Sequence, residues 1–355
     1  MWPDVRSQQL TESAAAVFSK PKVRFTLVPS SSFDVIKYFS ESYAADCEAG
    51  LDPSLEYVAP EQGLENLDIV IFTAHGSDLS PLLWDIRKKI GPPTLIAAWL
   101  WSNHLSHTGN LRTAMAADFV FPSQKYMAGY LIAPTSVLGT HVPLCCAQWK
   151  RDEVAGYFEQ FQNMARNNKL LVNYVDYPFS PRSELLHRLG AQMPEANVLL
   201  MHPSERARYF SKTREDRFRE WMEHKTTLIL PVDRDLSTRI FDALAAGQVL
   251  LVPSIVVDFD EVIPPAKQSE LGIIRLQSLT IDAIRKATAD AVRIFDETGI
   301  EGVRARHRYA LENHMTVHRI GSMLRCIKEV AAKEVSVVFD GNSVTPYGLH
   351  LARPT

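Results

Sequence analysis

Short, nearly continuous apolar runs alternate with helical patterns along most of this 355-residue chain. Residues 68–73 (DIVIFT) and 94–101 are typical of strands buried on both faces of a parallel sheet, and residues 23–28 form a similar β-branched run. Further strands are predicted at residues 119–121, 169–174, 197–201, 226–231, 249–253 and 273–276. Because strands alternate with helices, the pattern predicts an α/β fold of doubly wound parallel sheets.

The alternation runs through the chain twice, and the length fits two domains of about 100–200 residues each. We therefore predict one Rossmann-like domain at residues 1–150, a second at residues 151–332, and an accessory tail at residues 333–355. The intervening helices are predicted at residues 33–43, 81–90, 111–117, 124–131, 182–189, 214–224, 238–246, 281–298 and 303–332.

Composition and charge exclude several classes of protein. The apolar runs are far shorter than the ~20 residues that cross a bilayer, so we expect no membrane span, and the polar first twenty residues do not resemble a signal peptide. A net charge of −3 argues against a nucleic-acid partner. Four scattered cysteines indicate buried thiols and a cytoplasmic location.

Several common catalytic motifs are absent from the sequence. No G-x-G-x-x-G follows a predicted strand, which argues against a dinucleotide-dependent oxidoreductase. The chain also lacks a P-loop, an H-E-x-x-H sequence and a G-x-S-x-G sequence. Nucleotide triphosphatases, zinc proteases and α/β-hydrolases therefore have no support from motifs.

The most informative segment is residues 226–253, which predict a strand, a loop, a short helix and a second strand. Ser237 is placed to cap the helix, and Thr238 begins it. Leu236 and Phe241 occupy the two positions of a hydrophobic staple, and Gly247 ends the helix where a left-handed residue is favoured. The helix therefore begins just beyond the carboxyl end of a strand, which is where open α/β sheets bind ligands.

This helix carries groups that suit a nucleoside diphosphate. Free amides and the positive end of a helix dipole attract phosphate, and Arg239 adds a forked cation. Asp242 lies three residues on and offers a carboxylate to the vicinal hydroxyls of a ribose. The alternative is that Arg239 and Asp242 form an ordinary surface pair on a capped helix.

The pattern R-x-F-[DE]-A-L-A-x-G, followed by an apolar strand and Pro, resembles the donor-binding element of GT-B glycosyltransferases. It looks closest to the group 1-like branch that includes spore-maturation-type transferases. The Arg306-His307 pair and the pair of His314 and Arg319 also resemble features of that branch. Asp242 stands where Glu is more usual, and Arg234, beside Asp235, stands where the family has its first acidic residue. The resemblance covers residues 165–330, and residues 1–150 match only in architecture.

The resemblance implies an arrangement of two Rossmann-like domains that face a cleft, with the acceptor on the first domain and the donor on the second. It also implies a terminal helix that crosses back over both domains. Transferases of this architecture generally need no metal, because a helix dipole and basic side chains stabilise the departing diphosphate. We therefore expect no metal and no cofactor besides the nucleotide-sugar cosubstrate.

Four further side chains are candidates for the donor site. His202 and Arg206 follow the strand predicted at residues 197–201, where Arg206 suits phosphate and His202 suits base or sugar. Tyr174 and Arg182 flank another loop between a strand and a helix in the same domain. Each of the four has the simpler interpretation of an ordinary loop residue.

The acceptor candidates lie in the first domain. The loop that follows residues 94–101 is rich in hydrogen-bonding groups; in it Trp101 could stack on a sugar and Asn103 could bind its hydroxyls. His104 and His107 are candidate general bases because histidine titrates near neutral pH, and His75 is a further candidate after residues 68–73. Alternatively, His104 and His107 cap the following helix or bind carbonyl groups.

Together these features predict a metal-independent glycosyltransferase that moves a sugar from a UDP or GDP sugar to an acceptor hydroxyl. The acceptor could be a glycan, a lipid-linked compound or a protein, as in bacterial glycan biosynthesis, and assembly into a homo-oligomer stays open. Two alternatives remain. One is a nucleotide-sugar epimerase of similar shape, and the other is a binding module for nucleotide sugars or glycans that has no activity.

Overall fold

The computed structural model describes residues 2–28, 52–60, 63–64, 66–74, 78–91, 93–102, 106–131, 136–146, 148–178, 180–202, 204, 211–340 and 348–353. The chain divides into two compact units. Unit 1 comprises Met1–Leu144 and Thr316–Thr355, and unit 2 comprises Cys145–Met315. This division differs from the predicted boundaries at residues 150 and 332, because the chain returns to unit 1 after Met315.

The strands, numbered along the chain, are β1 (Val23–Val28), β2 (Leu55–Tyr57), β3 (Ile69–Ala74), β4 (Leu95–Leu100), β5 (Phe119–Pro122), β6 (Val137–Leu138), β7 (Asn167–Val175), β8 (Asn197–Met201), β9 (His224–Leu228), β10 (Val249–Pro253), β11 (Ile274–Leu276), β12 (Ser336–Asp340) and β13 (Gly348–Ala352). The α-helices are α1 (Trp2–Phe18), α2 (Ser80–Lys89), α3 (His107–Ala116), α4 (Arg151–Phe161), α5 (Pro181–Gln192), α6 (Arg214–Met222), α7 (Thr238–Ala245), α8 (Phe259–Val262), α9 (Pro265–Glu270), α10 (Ile281–Asn313) and α11 (Thr316–Ala331).

Unit 1 contains an eight-stranded sheet in the order β12-β13-β6-β5-β4-β3-β1-β2. Every neighbouring pair is parallel except β12 and β13, which are antiparallel. All residues of β3 and β4 are buried, which explains why their sequences are continuously apolar. Helix α1 packs against α11 and contributes buried Leu10, Ala14 and Val17.

The end of the chain corrects two predictions. Residues 333–355 are not an accessory tail, because β13 pairs with β6 and extends the sheet of unit 1. Val335, Val337 and Leu349 bury their side chains there. The helix predicted at residues 303–332 is also not continuous: α10 ends at Asn313 and α11 begins at Thr316, where the chain passes from unit 2 to unit 1.

Unit 2 contains a five-stranded, fully parallel sheet in the order β11-β10-β9-β7-β8. Its core combines the central strands with one face of α5 and of α10, and includes Leu170, Leu186, Leu228, Leu251 and Ile284. The strands predicted at residues 197–201 and 249–253 match β8 and β10 residue for residue. The helix predicted at residues 33–43 lies outside the described residues.

Candidate functional site

Helix α7 follows β9 at the carboxyl edge of the unit 2 sheet, as its sequence predicted. The Ser237 hydroxyl accepts a hydrogen bond from the backbone N–H of Arg239 at 3.4 Å, so Ser237 is the N-cap. Leu236 and Phe241, the predicted staple residues, are both fully buried. Gly247 follows the helix with a φ of +72°, which confirms the predicted left-handed residue.

The side chain of Arg239, in the first turn of α7, is held in place by its Nε and by the face of its guanidinium group. Its Nε donates to the backbone carbonyl of Asn173 at 2.9 Å, and its guanidinium lies 4.4 Å from the centre of the Tyr174 ring. In the part of the chain that the structure describes, its two terminal nitrogens make no hydrogen bond or ion pair. These two nitrogens are therefore available to a ligand while the rest of the side chain is fixed.

Arg182 in the first turn of α5 is 8% exposed. Its guanidinium lies between two aromatic rings, 4.9 Å from the centre of Tyr174 and 5.2 Å from that of Tyr177. It donates to the carbonyl of Val175 at 3.1 Å and to that of Leu230 at 3.5 Å. No described residue accepts from its buried Nε, so part of its charge is unsatisfied.

The Tyr174 ring supports both arginines, and its predicted role in the donor site stays a prediction. It is fully buried; its hydroxyl donates to the carbonyl of Leu228 at 2.8 Å and accepts from the N–H of Leu230 at 2.6 Å. Burial lowers the pKa of Arg182, and the neighbouring charge of Arg239 lowers it further. Two cations that share one ring produce a positive region, and an anion would relieve their repulsion.

Asp242, the predicted ribose ligand, has no exposed surface. One carboxylate oxygen accepts from the side-chain amide of Gln148 at 2.7 Å, and the Cys146 thiol is hydrogen-bonded to the same carboxylate. Burial, and then the charge of Asp242, raise the pKa of Cys146. The backbone N–H of Cys146 donates to the carbonyl of His314 at 2.8 Å. Asp242 thus holds Cys146 and Gln148 against α7, and its contact with a ribose stays a prediction.

The loop between β9 and α7 contains a strained residue. Arg234 adopts a φ of +64°, although it is not glycine, and its carbonyl accepts from the N–H of Val257 at 2.9 Å. Asp235 accepts from the N–H of Asp233 at 2.8 Å, which closes a tight turn. Left-handed non-glycine residues of this kind often occur at functional sites, where the surrounding fold maintains the strain.

A cavity of about 450 Å³ opens at the start of α5, after the carboxyl end of β7. Asp176, Ser183, Glu184 and His187 are among its lining residues. A carboxylate oxygen of Asp176 lies 2.9 Å from Nε2 of His187. Hydrogen bonds from Ser183 and then His187 lower the pKa of Asp176. A polar residue directly after a strand was the sequence signal that would have found this cavity.

His202 follows β8 with an exposed side chain, and its Nδ1 lies 2.7 Å from the hydroxyl of Ser204. His202 is also the smallest of the causes that lower the pKa of Asp176. Arg206, its predicted partner, lies outside the described residues. The structure therefore brings Arg239 and Arg182 together through Tyr174, with His202 on a neighbouring loop of the same sheet edge.

The acceptor candidates are described only in part. His75, Asn103 and His104 lie outside the described residues. His107 is the first residue of α3 and is half-buried. Trp101 is 8% exposed, and its ring meets that of Trp99 edge-on, with centroids 4.6 Å apart. Trp101 therefore packs largely inside unit 1, and its stacking on a sugar stays a prediction.

The described residues contain neither a candidate metal-binding cluster nor a membrane-spanning helix. No group of three or more His, Cys, Asp or Glu side chains within them is arranged to hold a metal ion. None of their helices is both long enough and apolar enough to cross a membrane.

No protein-family profile matches the chain, and no curated protein matches its sequence. Among solved structures, an alpha-glucosyltransferase in complex with UDP and a 13-mer DNA containing a central A:G mismatch matches with a TM-score of 0.56 at 10% identity, over 86% of this chain and 100% of that one. An alpha,alpha-trehalose-phosphate synthase (UDP-forming) from Burkholderia vietnamiensis matches with a TM-score of 0.47 at 11% identity, over 88% and 99%.

The first of these similarities establishes the fold. The chain has the α/β architecture of GT-B glycosyltransferases, with two Rossmann-like domains, as the helix motif predicted. An identity of 10% carries the fold alone, so the chemistry has to be argued from the residues of this chain.

Proposed function

We propose that this chain is a glycosyltransferase that binds a nucleotide sugar through its diphosphate at the N-terminal end of α7. The observation that carries the proposal is Arg239, whose terminal nitrogens are available while stacking on Tyr174 and a bond to Asn173 fix its position. The free amides of the first turn of α7 and the nearby charge of Arg182 add to this positive region.

In the proposed reaction, the bond between the anomeric carbon of the sugar and the diphosphate oxygen breaks, and an acceptor oxygen bonds to that carbon. The leaving diphosphate keeps the bonding electron pair, and the acceptor proton passes to a base. Arg239, Arg182 and the helix dipole stabilise the charge that develops on the leaving oxygen. Of the predicted bases His75, His104 and His107, only His107 lies within the described residues. We propose it as the base that accepts this proton.

The proposal includes several finer points from the sequence. The chain would belong to the spore-maturation-like branch, act in the cytoplasm without a metal, and use a glycan, a lipid-linked compound or a protein as acceptor. Support for the branch comes from its Arg-His pair: Arg306 and His307 donate to carbonyls at the end of α7. Support for metal independence comes from the two arginines, whose charges take the place of a cation beside the diphosphate.

The burial of Asp242 bears on how the ribose of a nucleotide would bind. The Gln148 amide occupies Oδ2 of this carboxylate, and Oδ1 is buried, so a ribose hydroxyl would reach Asp242 only after a local rearrangement. We therefore assign the binding energy to the diphosphate, and we assign Asp242 the structural role of holding segment 145–148. If Gln148→Ala leaves UDP affinity unchanged, this assignment holds, whereas a large gain would return Asp242 to the ribose.

Calorimetric titration of the full chain with UDP and GDP tests the donor site. We expect Arg239→Ala to weaken binding of the preferred nucleotide about tenfold or more, because a charge-assisted hydrogen-bond donor is lost, with little change in Tm. Arg293→Ala is the matched control, since Arg293 is an exposed arginine on α10 that pairs with Glu297. Equal affinity of wild type and Arg239→Ala would remove the assignment.

Product analysis then separates the three functions that the sequence allowed. A transferase converts its nucleotide sugar faster when the right acceptor is present and releases the nucleoside diphosphate. An epimerase would alter the sugar without any acceptor. A binding module would bind the nucleotide through Arg239 and convert none of the nucleotide sugars, with or without acceptors.

A further inference from the structure

The C-terminal end of α7 has a hydrogen-bond donor on every carbonyl from residue 243 to residue 247. The carbonyls of residues 243 and 244 accept from backbone N–H groups at 2.9 and 2.8 Å, in the pattern of a Schellman motif. His307, Arg166 and Arg306 donate to the carbonyls of residues 245, 246 and 247 at 2.7, 2.8 and 2.9 Å. Three side chains distant in sequence thus close one helix end.

Two of these donors carry a positive charge inside unit 2. Arg306 is 1% exposed and Arg166 is partly buried, and their guanidiniums lie 5.6 and 5.3 Å from the centre of the same Phe295 ring. Burial lowers the pKa of Arg166 to about 9 and that of Arg306 to about 10, and the charge of Arg306 contributes to the shift of Arg166. Neither arginine forms an ion pair with a carboxylate among the described residues.

Such a pair of like charges is costly to bury, and the carbonyls of a helix end supply only about half an elementary charge in return. The arrangement therefore needs a reason beyond packing, because an apolar side chain would fill the same space at lower cost. The reason lies in the direction of α7, whose opposite end carries Ser237, Arg239 and the free amides of the first turn.

We infer that Arg166 and Arg306 are positioning residues for the anion site at the other end of α7, an inference that rests on the function proposed above. They neutralise the negative end of the helix, so that the positive end faces the diphosphate without an opposing charge. They also fix the last turn of α7, and an eight-residue helix that is held at one end presents Arg239 in one orientation.

The expected size of the effect is modest, because α7 is about 12 Å long at 1.5 Å per residue. Over that distance, with a solvent-exposed anion and an effective dielectric constant of about 40–80, a unit charge changes the binding of a doubly charged anion by about three- to tenfold. A purely structural role predicts a different result: it would lower stability without any dependence of anion binding on the charge of the side chain.

The test compares Arg166→Lys with Arg166→Gln and Arg306→Lys with Arg306→Gln, with inorganic pyrophosphate and UDP as probes for the full chain. Both replacements shorten the side chain and retain a donor, but only Lys can carry the charge. Because burial lowers the pKa of a lysine as it lowers that of Arg166, binding is measured at pH 6, where the lysine is protonated. We expect the Gln variants to bind pyrophosphate about three- to tenfold more weakly than wild type, and the Lys variants to stay within about twofold. Arg285→Gln, at an exposed arginine on α10, is the control.

The results distinguish this inference from the proposed function. If pyrophosphate binding follows the charge while UDP binds no better than pyrophosphate, the positioning role stands and the nucleotide proposal fails. If Lys and Gln variants lose the same affinity in proportion to their loss of Tm, the two arginines are structural and the inference is overturned. Absence of pyrophosphate binding by the wild type overturns it as well. Arg166, the less buried of the two, provides the comparison if an Arg306 variant does not fold.

Discussion

The two ends of α7 are both surrounded by positive charge, but they are built in opposite ways. At the N-terminal end, Arg239 leaves its terminal nitrogens available and is fixed by an aromatic ring and a carbonyl. At the C-terminal end, Arg166 and Arg306 direct their charge at helix carbonyls inside unit 2. The difference separates a ligand site from its support: at the first end the terminal nitrogens of Arg239 can still bind a ligand, whereas at the second end every carbonyl from residue 243 to residue 247 already accepts a hydrogen bond.

Gly247→Ala should have the largest effect on stability, because it disturbs the C-terminal end of α7, which we call the closed end because every carbonyl there accepts a hydrogen bond. Gly247 has a φ of +72°, and an added Cβ would lie 2.6 Å from Cγ1 of Val303 and 2.9 Å from its carbonyl oxygen. We expect a loss of about 3 kcal/mol in the free energy of unfolding from backbone strain and overpacking. Chemical denaturation measures it.

The matched control for this variant is Gly190→Ala in α5. There an added Cβ meets only Cγ1 of Val198, at 3.8 Å, which is an ordinary contact. A helical glycine replaced by alanine should gain about 0.5–1 kcal/mol. If both variants have the same stability, the last turn of α7 is not the rigid support that the comparison requires.

The second prediction concerns acid and the closed end. Burial lowers the pKa of His307 from 6.5 to about 4. As the pH drops, His307 is protonated near pH 6.5 in the unfolded chain but only near pH 4 in the folded chain. Between these pH values the unfolded chain binds more protons, so the free energy of unfolding falls. We expect His307 to account for about 3 kcal/mol of that loss.

Denaturation of wild type and His307→Asn at pH 7 and pH 4.5 measures this share. Asparagine retains a donor for the carbonyl of Ala245 but does not titrate, so the variant should lose less stability on acidification. Identical losses in the two proteins would show that His307 does not sense acid. His224, whose pKa burial also lowers, serves as a comparison site through His224→Asn.

The third prediction concerns the N-terminal end of α7, which we call the open end because the terminal nitrogens of Arg239 can bind a ligand there. It distinguishes the contribution of the Tyr174 ring from that of its hydroxyl. Tyr174→Phe removes the hydroxyl that bonds Leu228 and Leu230 and should cost about 1–2 kcal/mol of stability. Because the ring under Arg239 remains, UDP affinity should change by less than about twofold. Tyr174→Leu removes the ring as well, and its UDP affinity should fall further. Equal UDP affinity for the two variants would argue against the ring as a platform.

The smallest effect is expected from Ser237→Ala at the N-cap. Loss of the hydroxyl leaves one amide of α7 without its side-chain acceptor and should cost about 1 kcal/mol. Pyrophosphate should recover part of this loss, since an anion accepts from the same freed amide. Equal stabilisation of wild type and variant by pyrophosphate, measured by Tm, would indicate that the anion binds elsewhere.

Local sequence chemistry predicted both boundaries of α7 well. The cap at Ser237, the staple at Leu236 and Phe241, and the left-handed Gly247 are all set by neighbours within a few residues. The alternation of apolar runs likewise predicted both parallel sheets, because strands buried on two faces leave no other periodicity.

Long-range packing accounts for what the sequence did not predict. Arg166 and Arg306 lie 80 and 59 positions away from the carbonyls they bind, and Gln148 lies 94 positions from Asp242. No spacing rule connects residues so far apart. Burial of Asp242 and Tyr174 was missed for the same reason: a polar residue near a sheet edge can face outward or inward, and only its tertiary neighbours decide which.

The sheet of unit 1 is assembled from both ends of the chain, because β13 pairs with β6 across the whole of unit 2 in sequence. A nascent chain therefore releases all five strands of unit 2 before β12 and β13 have been translated. Domains usually fold in the order of their synthesis, so that the first folds while the second is still being synthesised. Here the sheet of unit 1 is completed only after unit 2 has been synthesised. The β6 edge of the unit 1 sheet therefore stays unpaired until β13 has left the ribosome.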